Sequence, residues 1–434
     1  MRINRRGQAS PAGHASKTSE GKLSLDAEQA LPSVNDGGAA SHQVRGAGRR
    51  HPVTGARRPR SARALAMGVL VAVTAVLLAA CGGSSPAPSP VVTSGGGTIA
   101  ALPAAPDPAV QSLSETGSTL LYPLFNNVWA PNCKSRFPNI TITTASTGSG
   151  TGILSAAAGT ADIGASDAYL SSANVAKNPT LVNIPLVISA QLVDYNLPGL
   201  NGTVKLSGTI LAEMYQGTVT TWDDAQIKAI NPGFSLPPTR VFPVHRTDDS
   251  GDTFLFTTYL STQDPSWSNS VSYGTTVAWP AAAGEMAADR NTGMVTSCRN
   301  QVGCVAYIGI SYQDQAKAAG LSEAALLNGS GSYKLPTPAA INAEAAGFAS
   351  TTPADGTLSL INGSAVGGYP IVNYEYAIVS TKQPSAIRAN DLKALLNWIL
   401  TTGSSSMYLR HGGFQPLPPQ VASISHALAA EISG

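Results

Sequence analysis

Residues 241–260 read Val-Phe-Pro-Val-His-Arg-Thr-Asp-Asp-Ser-Gly-Asp-Thr-Phe-Leu-Phe-Thr-Thr-Tyr-Leu, and this stretch shows the succession of strand, loop and helix that decides the predicted fold. The apolar segment 241–245 predicts a strand, the loop 246–252 carries charge, glycine and a hydroxyl, and the apolar run from Phe254 predicts a helix. The same succession recurs, with predicted strands at 140–144, 183–190 and 372–379 and predicted helices at 153–161, 210–216 and 391–400. Alternating strands and helices predict an α/β fold, in which ligands bind at the carboxyl ends of strands.

Composition and charge narrow the class of protein. The chain has 434 residues, of which 12% are charged and 43% hydrophobic, with 43 glycines and 30 prolines, as is typical of a loop-rich secreted protein. Residues 1–63 hold 12 Lys and Arg against 4 Asp and Glu, whereas the remainder holds 15 against 21. An acidic main part argues against a nucleic-acid-binding protein. Four cysteines without histidines at zinc spacing predict neither a disulfide scaffold nor a metal site, and we expect no cofactor.

The basic segment ends in the layout of a lipoprotein signal peptide. Residues 57–80 combine four arginines with an apolar run of 17 residues, 64–80, and Leu-Ala-Ala precedes Cys81 as in a bacterial lipobox. We expect cleavage before Cys81, lipidation of its thiol, and a flexible Gly, Ser, Pro and Ala tether at 81–111. The alternative is a single-pass membrane anchor. Residues 1–56 are unpatterned and represent either a disordered leader or a start codon placed too far upstream.

Three segments place glycine or hydroxyl residues where a helix is predicted to begin. They are 116–120 (Thr-Gly-Ser-Thr-Leu), 148–152 (Gly-Ser-Gly-Thr-Gly) and 249–253 (Asp-Ser-Gly-Asp-Thr). Free backbone N–H groups at a helix start favour an anion. The alternative is an ordinary N-cap, and the glycine-rich segment lacks the Gly-Lys-Ser/Thr ending of a nucleotide P-loop.

Two charged residues favour a protonated oxyanion as the ligand. The guanidinium of Arg246 can donate hydrogen bonds to two oxygens of such an anion, and Asp248 can orient the guanidinium. Asp167 follows a short apolar strand, and its carboxylate can accept the O–H of a phosphate, which sulfate lacks. The alternative for Asp167 is an aspartate that only caps a turn.

Several motifs together resemble those of a known family. They are Thr116-Gly-Ser-Thr-Leu-Leu-Tyr-Pro-Leu-Phe, Thr147-Gly-Ser-Gly-Thr-Gly, Ile163-Gly-Ala-Ser-Asp, Trp222-Asp-Asp, His245-Arg-Thr-Asp-Asp-Ser-Gly-Asp-Thr-Phe, Cys304-Val-Ala-Tyr-Ile-Gly-Ile-Ser and Tyr369-Pro-Ile-Val-Asn-Tyr-Glu-Tyr-Ala-Ile. In this order the chain resembles the phosphate-binding lipoproteins of ABC phosphate importers, particularly the mycobacterial type, from about residue 112 to its C-terminus.

The resemblance implies a two-lobed periplasmic-binding-protein fold of type II with phosphate between the lobes. Residues 112–195 and 370–434 would form lobe I and 196–369 lobe II, with a hinge near Asn196 and Tyr369. The implied phosphate-binding residues are Ser118, Thr119, Leu120, Ser149, Asp167, Arg246, Ser250, Gly251 and Asp252. Many enteric relatives have threonine at the position of Asp252, and the family usually has glycine at that of Asp249, so the backbone at residue 249 is in question.

We therefore expect a monomeric receptor, not an enzyme, held at the outer leaflet of the cell membrane by its lipid, with inorganic phosphate and the importer's permease as partners. Cys298 and Cys304 are expected to form a disulfide across a short loop in an oxidising compartment, which leaves Cys133 free and partly buried. Three alternatives stay open: a receptor for another tetrahedral anion, a phosphomonoester hydrolase with Ser149 or Ser118 as nucleophile, and a surface adhesin.

Overall fold

A computed structural model describes residues 102–103 and 111–434, and the structural statements below concern these residues. The expected leader at 1–56, the signal peptide at 57–80, Cys81 and nearly all of the tether at 81–111 lie outside them.

Twelve strands are found in the described part of the chain. They are β1 (Gln111–Gly117), β2 (Ile140–Ser146), β3 (Ile163–Ser166), β4 (Leu181–Tyr195), β5 (Lys205–Leu206), β6 (Phe242–Arg246), β7 (Met286–Ala288), β8 (Cys304–Gly309), β9 (Ser322–Glu323), β10 (Ala325–Leu327), β11 (Tyr333–Lys334) and β12 (Val372–Ser380). Nine of them join in one sheet of order β2-β1-β3-β12-β4-β8-β6-β7, in which β9 also pairs with β4; β11, β10 and β5 form a second, small sheet.

The long strand β4 links the two parts of the large sheet. Its residues 181–190 pair antiparallel with β12, and its residues 191–195 pair antiparallel with β8. On one side β2, β1 and β3 run parallel to each other, and on the other side β8, β6 and β7 do the same. This mixed α/β sheet confirms the predicted fold class. The lobe limits at 112–195, 196–369 and 370–434 stay predictions.

Fourteen α-helical segments accompany these strands in residues 111–434. They are α1 (Tyr122–Leu124), α2 (Ala130–Arg136), α3 (Ser149–Ala157), α4 (Ser172–Lys177), α5 (Gly208–Gln216), α6 (Ala225–Ile230), α7 (Gly251–Gln263), α8 (Pro265–Ser270), α9 (Arg290–Asn300), α10 (Gln313–Ala318), α11 (Pro338–Phe348), α12 (Ala386–Trp398), α13 (Ser406–Leu409) and α14 (Pro419–Ala430). Helix α1 continues through a π-helical segment, Phe125–Trp129, into α2, and α12 continues into a second one, Ile399–Gly403.

The helix predicted at 153–161 is wrong at both ends, because α3 begins at Ser149, inside the glycine-rich run, and ends at Ala157. Glycine is needed in its first turn because a Cβ atom at Gly152 would lie 2.7 Å from the carbonyl oxygen of Ala165. Gly159, with φ +67°, follows the end of the helix in a conformation that favours glycine. Gly152 therefore allows the helix to approach the strand closely, and Gly159 allows the turn that follows the helix.

The core consists of two clusters of buried apolar side chains. One contains residues of β4, β8, α5 and α7, and the other contains residues of β1, β3, α12 and α14. The predicted disulfide between Cys298 and Cys304 is confirmed, and it joins the last turn of α9 to the first residue of β8. Cys133 is free and fully buried, more so than predicted.

Candidate functional site

The predicted site residues meet where β1, β3 and β6 end. Ser118, Thr119 and Leu120 follow β1, Asp167 follows β3, and Arg246 is the last residue of β6. The helices α3 and α7 begin at Ser149 and Gly251. All nine residues implied by the resemblance are buried. The structure thus brings them together at the carboxyl ends of parallel strands, as expected for a ligand site in an α/β sheet.

The loop after β1 is fixed against the end of β3. The backbone N–H of Ser118 donates to the carbonyl of Ala165 at 2.8 Å. Gly117 has φ +141°, and a Cβ atom there would lie 2.0 Å from the same carbonyl oxygen, so only glycine fits. The Ser118 hydroxyl accepts the backbone N–H of Leu121 at 2.9 Å and donates to Oδ1 of Asp167. Ser118 therefore both caps the following turn and orients the Asp167 carboxylate.

Asp167 does more than cap a turn. Its backbone N–H donates to the hydroxyl of Ser149 at 3.1 Å, which joins the end of β3 to the second predicted segment, 148–152. Its Oδ2 atom receives no hydrogen bond from any described residue, although the side chain is only 1% exposed. A Cβ atom at Gly251 would lie 2.3 Å from this oxygen, so the glycine leaves the space beside it open. The carboxylate thus presents one free acceptor oxygen towards the start of α7.

Arg246 is 3% exposed, and each of its three guanidinium nitrogens donates to a protein group. Its Nε donates to Oδ1 of Asp248 at 2.6 Å and its Nη2 to the other oxygen of the same carboxylate, which is the contact that the sequence predicts. Nη1 donates to Oδ2 of Asp252 at 2.5 Å, and Nη2 also donates to the Thr119 hydroxyl at 3.0 Å. The backbone N–H of Arg246 donates to the hydroxyl of Tyr307 at 2.9 Å. The guanidinium is therefore preorganised between two aspartates.

Asn291 is a site residue that the sequence analysis misses. Its Nδ2 donates to Oδ2 of Asp252 at 2.7 Å and to the Thr119 hydroxyl at 2.9 Å, and its Oδ1 accepts the backbone N–H of Gly309 at 2.8 Å. It follows Arg290, whose φ of +58° is rare for a residue with a side chain. The surrounding sequence reads as an ordinary helix start, so no signal distinguishes Asn291.

The third predicted loop begins a helix with an ordinary cap. The Ser250 hydroxyl accepts the backbone N–H of Thr253 at 3.2 Å, which is the N-cap role held open as the alternative. Asp249 does not adopt positive φ, so the absence of glycine there costs the backbone nothing; its carbonyl accepts the N–H of Gly150 at 3.1 Å. The backbone N–H groups of Thr119, Leu120, Gly251 and Asp252 donate to no other described group. These N–H groups can bind the oxygens of an anion.

The carboxyl groups of the site differ in the direction in which their pKa is shifted. Burial raises the pKa of Asp252 to about 7 even though Arg246 opposes this. Burial also raises the pKa of Asp167, against the hydrogen bonds and the charge of Arg246 that lower it. The pKa of Asp248 lies below its ordinary value because the hydrogen bond and charge of Arg246 outweigh its burial. The site therefore contains one firmly ionised aspartate and two that can hold protons.

Glu375 on β12 is the second residue that the sequence analysis misses, although it lies in one of the quoted motifs. It is fully buried, and its carboxyl is within hydrogen-bonding reach of that of Asp167. A glutamate amid the apolar residues of the predicted strand 372–379 was the available signal, since such a strand rarely buries an acid without a partner.

Comparison with known proteins gives one family throughout. A model of the PBP superfamily domain matches residues 102–402. The phosphate-binding protein PstS of Methanocaldococcus jannaschii is 32% identical over 73% of this chain and 85% of its own length. The phosphate-binding protein PstS3 of Mycobacterium bovis is 30% identical over 82% of this chain and 95% of its own. A solved phosphate-binding protein from Stenotrophomonas maltophilia shares the fold, with a TM-score of 0.55 at 19% identity over 72% of this chain and 92% of its own.

Proposed function

The chain belongs to the PBP superfamily and, within it, to the PstS-type phosphate-binding proteins, and from this premise we propose that it captures inorganic phosphate outside the cytoplasm and delivers it to the permease of an ABC importer. It is a binding protein and not an enzyme. The alternative of a hydrolase with Ser149 or Ser118 as nucleophile is therefore set aside.

One observation carries the proposal, namely the pairing of free donors with a free acceptor inside a buried site. The N–H groups of Thr119, Leu120, Gly251 and Asp252 supply donors for the oxygens of an anion. Oδ2 of Asp167 supplies an acceptor for an O–H group. Hydrogen phosphate and dihydrogen phosphate carry oxygens that accept from these N–H groups and an O–H that donates to Asp167. Sulfate has no O–H, so it would leave the Asp167 carboxylate without a hydrogen bond and would be repelled by its charge. The donor and acceptor set thus favours phosphate over fully ionised tetrahedral anions.

Local contacts rather than overall charge must attract the ligand. Residues 64–434 hold 15 Lys and Arg against 21 Asp and Glu, so the main part of the chain offers an anion no long-range attraction. Within the described ranges, no cluster of His, Cys, Asp or Glu could hold a metal ion as a substitute source of positive charge. Binding would instead use Arg246, helix starts and short hydrogen bonds.

The membrane attachment is part of the proposal. No helix in residues 111–434 is both long and apolar enough to cross a bilayer. The lipobox at Cys81 and the tether that follows it support a receptor held by lipid at the outer leaflet of the cell membrane. We propose that this receptor is a monomer, because one chain supplies every group of the site described above, and that closure of its two lobes signals the loaded state to the permease.

Titration calorimetry of the full chain tests the ligand directly. The protein is first freed of bound anion by refolding in phosphate-free buffer, and phosphate and sulfate are then added separately at about pH 7. We expect phosphate to bind and sulfate to bind far more weakly. Equal affinities, or no binding of phosphate, would refute the proposed function. Arsenate, which also carries an O–H, serves as the positive control for recognition by shape and protonation.

A further inference from the structure

The side chain of Glu375 lies behind the anion site in an environment that fixes one of its oxygens. The Ser189 hydroxyl donates to its Oε1 at 2.5 Å, and Nδ2 of Asn373 approaches the same oxygen at 3.5 Å. Nδ2 of Asn373 also donates to the backbone carbonyl of Asp167 at 2.6 Å, which ties the two acids into one unit. The other oxygen, Oε2, receives no hydrogen bond from the described part of the chain. One carboxyl oxygen of Glu375, Oε1, therefore accepts hydrogen bonds, and the other, Oε2, has no described hydrogen-bond partner.

The two acids can contact each other only if one of them carries a proton. Oδ2 of Asp167 also lacks a donor, and the carboxyl groups of Asp167 and Glu375 are within hydrogen-bonding reach. Because an ionised carboxylate oxygen has two lone pairs, Asp167 can accept a hydrogen bond from Glu375 and another from the ligand. Two ionised carboxylates repel and offer no hydrogen between them, whereas a carboxyl and a carboxylate form a strong O–H···O bond. Arg246, whose charge acts on Asp167, is already paired with Asp248 and Asp252.

We infer that Glu375 is a specificity-determining positioning residue: as a neutral acid it donates a hydrogen bond to Asp167 and keeps Asp167 an ionised acceptor for the O–H of the ligand. The inference rests on the proposed function, since it concerns the same phosphate site. The proton belongs on Glu375 because Asp167 also receives the Ser118 hydroxyl and lies in the field of Arg246.

Burial and the neighbouring acids favour the neutral form of Glu375 and outweigh the hydrogen bond from Ser189, which favours the ionised form. The charges of Asp167 and Asp252 raise its pKa, and its two described hydrogen-bond donors, Ser189 and Asn373, are neutral. Tyr376, its neighbour on β12, is neutral because burial raises its pKa well above the ordinary value. Burial and the charge of Asp167 likewise raise the pKa of Glu375. Phosphate affinity should therefore fall as the pH rises through that pKa, when an ionised Glu375 would repel Asp167.

Two substitutions separate donation from mere packing. Glu375→Gln keeps an oxygen for Ser189 and places an N–H₂ group where Oε2 was, so it still donates to Asp167 but cannot ionise. Glu375→Leu removes the donor, and Asp167 would then take up a proton itself and become a donor that sulfate can use. Glu344→Gln is the matched control, because Glu344 is also a fully buried acid but its Oε1 accepts the backbone N–H of Gly363, outside the site.

Phosphate and sulfate affinities of the full chain and of the three variants are measured by titration calorimetry between about pH 6 and pH 10. At the acid end we expect Glu375→Gln to bind phosphate within about threefold of the unaltered chain and to lose the decline in affinity at high pH. We expect Glu375→Leu to bind phosphate at least about tenfold more weakly and to reject sulfate less strongly. The Glu344→Gln variant should reproduce the unaltered profile.

The outcomes distinguish this inference from the proposed function. If the unaltered chain does not bind phosphate, the proposed function fails. If it binds phosphate and Glu375→Gln shows the same decline at high pH, the inference is overturned, because the decline then comes from another group. Should Glu375→Leu fail to fold, the glutamine variant alone decides; should it fold and reject sulfate as strongly as before, the inference is also overturned.

Discussion

Substitution of Arg246 by lysine separates the geometry of the guanidinium from its charge. In the structure the group donates to both oxygens of Asp248, to Asp252 and to Thr119. A lysine ammonium keeps the charge but offers three donors from a single point, so it cannot span Asp248, Asp252 and Thr119 together. At least two hydrogen bonds to charged groups are lost, each with a net value of about 1.5 to 3 kcal/mol. If half of this loss falls on binding, phosphate affinity drops by at least about tenfold.

Arg388→Lys provides the matched control. Arg388 also binds one aspartate, Asp162, through two nitrogens, with Nε to Oδ1 at 2.6 Å and Nη2 to Oδ2 at 2.9 Å, but it lies outside the site. Calorimetric titration with phosphate, run beside thermal unfolding of both variants, measures binding and stability separately. We expect Arg388→Lys to keep the affinity of the unaltered chain. A folded Arg246→Lys variant that also keeps it would show that charge alone suffices and would refute the geometric argument.

Three further predictions concern other buried polar groups. Asp167→Asn places a donor where the free acceptor was, so phosphate affinity should fall about tenfold or more while sulfate rejection relaxes, as competition titrations would show; unchanged selectivity would return Asp167 to the role of a turn aspartate. Asn291→Ala leaves the N–H of Gly309 buried without a partner, so thermal unfolding should reveal a loss of about 1 to 3 kcal/mol along with weaker phosphate binding, and an unaltered melting temperature would contradict this. Burial raises the pKa of Glu344 to about 7, so the folded chain holds this proton more tightly than the unfolded chain, and stability is lost as the pH rises from the unfolded value towards 7. Denaturant unfolding should therefore show Glu344→Gln gaining about 3 kcal/mol relative to the unaltered chain between pH 4 and pH 8, and a difference that is constant with pH would contradict this prediction.

The sequence is sufficient for those parts of the site whose partners are close along the chain. Arg246, Asp248 and Asp252 lie within seven residues, and strand-loop-helix patterning alone predicts that they share one strand end. The contact between Arg246 and Asp248 follows from that spacing and is present. The predicted start of α3 is wrong because glycine lowers helix propensity, whereas at Gly152 the close approach of a strand makes glycine the residue that fits.

The residues that the sequence analysis misses come from distant elements. Asn291 reaches Thr119 across 172 positions of the chain, and Glu375 reaches the site from β12, whose pairing with β3 brings Tyr376 opposite Ser166. Such contacts depend on which strands become neighbours in the sheet, and local patterns do not determine that order. The sequence singles out Glu375 only because burying an acid in a strand costs free energy. This cost implies that Glu375 has a partner, but it does not identify the partner.

The charges of the site explain how an acidic protein can bind an anion. Ionised Asp248 offsets the positive charge of Arg246 before any ligand arrives, and Arg246 also donates to Asp252. An added dianion would be repelled by Asp167, Asp252 and Glu375 if all three were ionised. Raised pKa values remove that conflict, because Asp252, with a pKa of about 7, and Glu375, with a pKa well above its ordinary value, can hold protons that turn repelling carboxylates into hydrogen-bond donors. Selectivity then depends on Asp167, whose ionised oxygen accepts an O–H of the ligand. The same carboxyls that make the site acidic therefore let it distinguish a protonated anion from an unprotonated one.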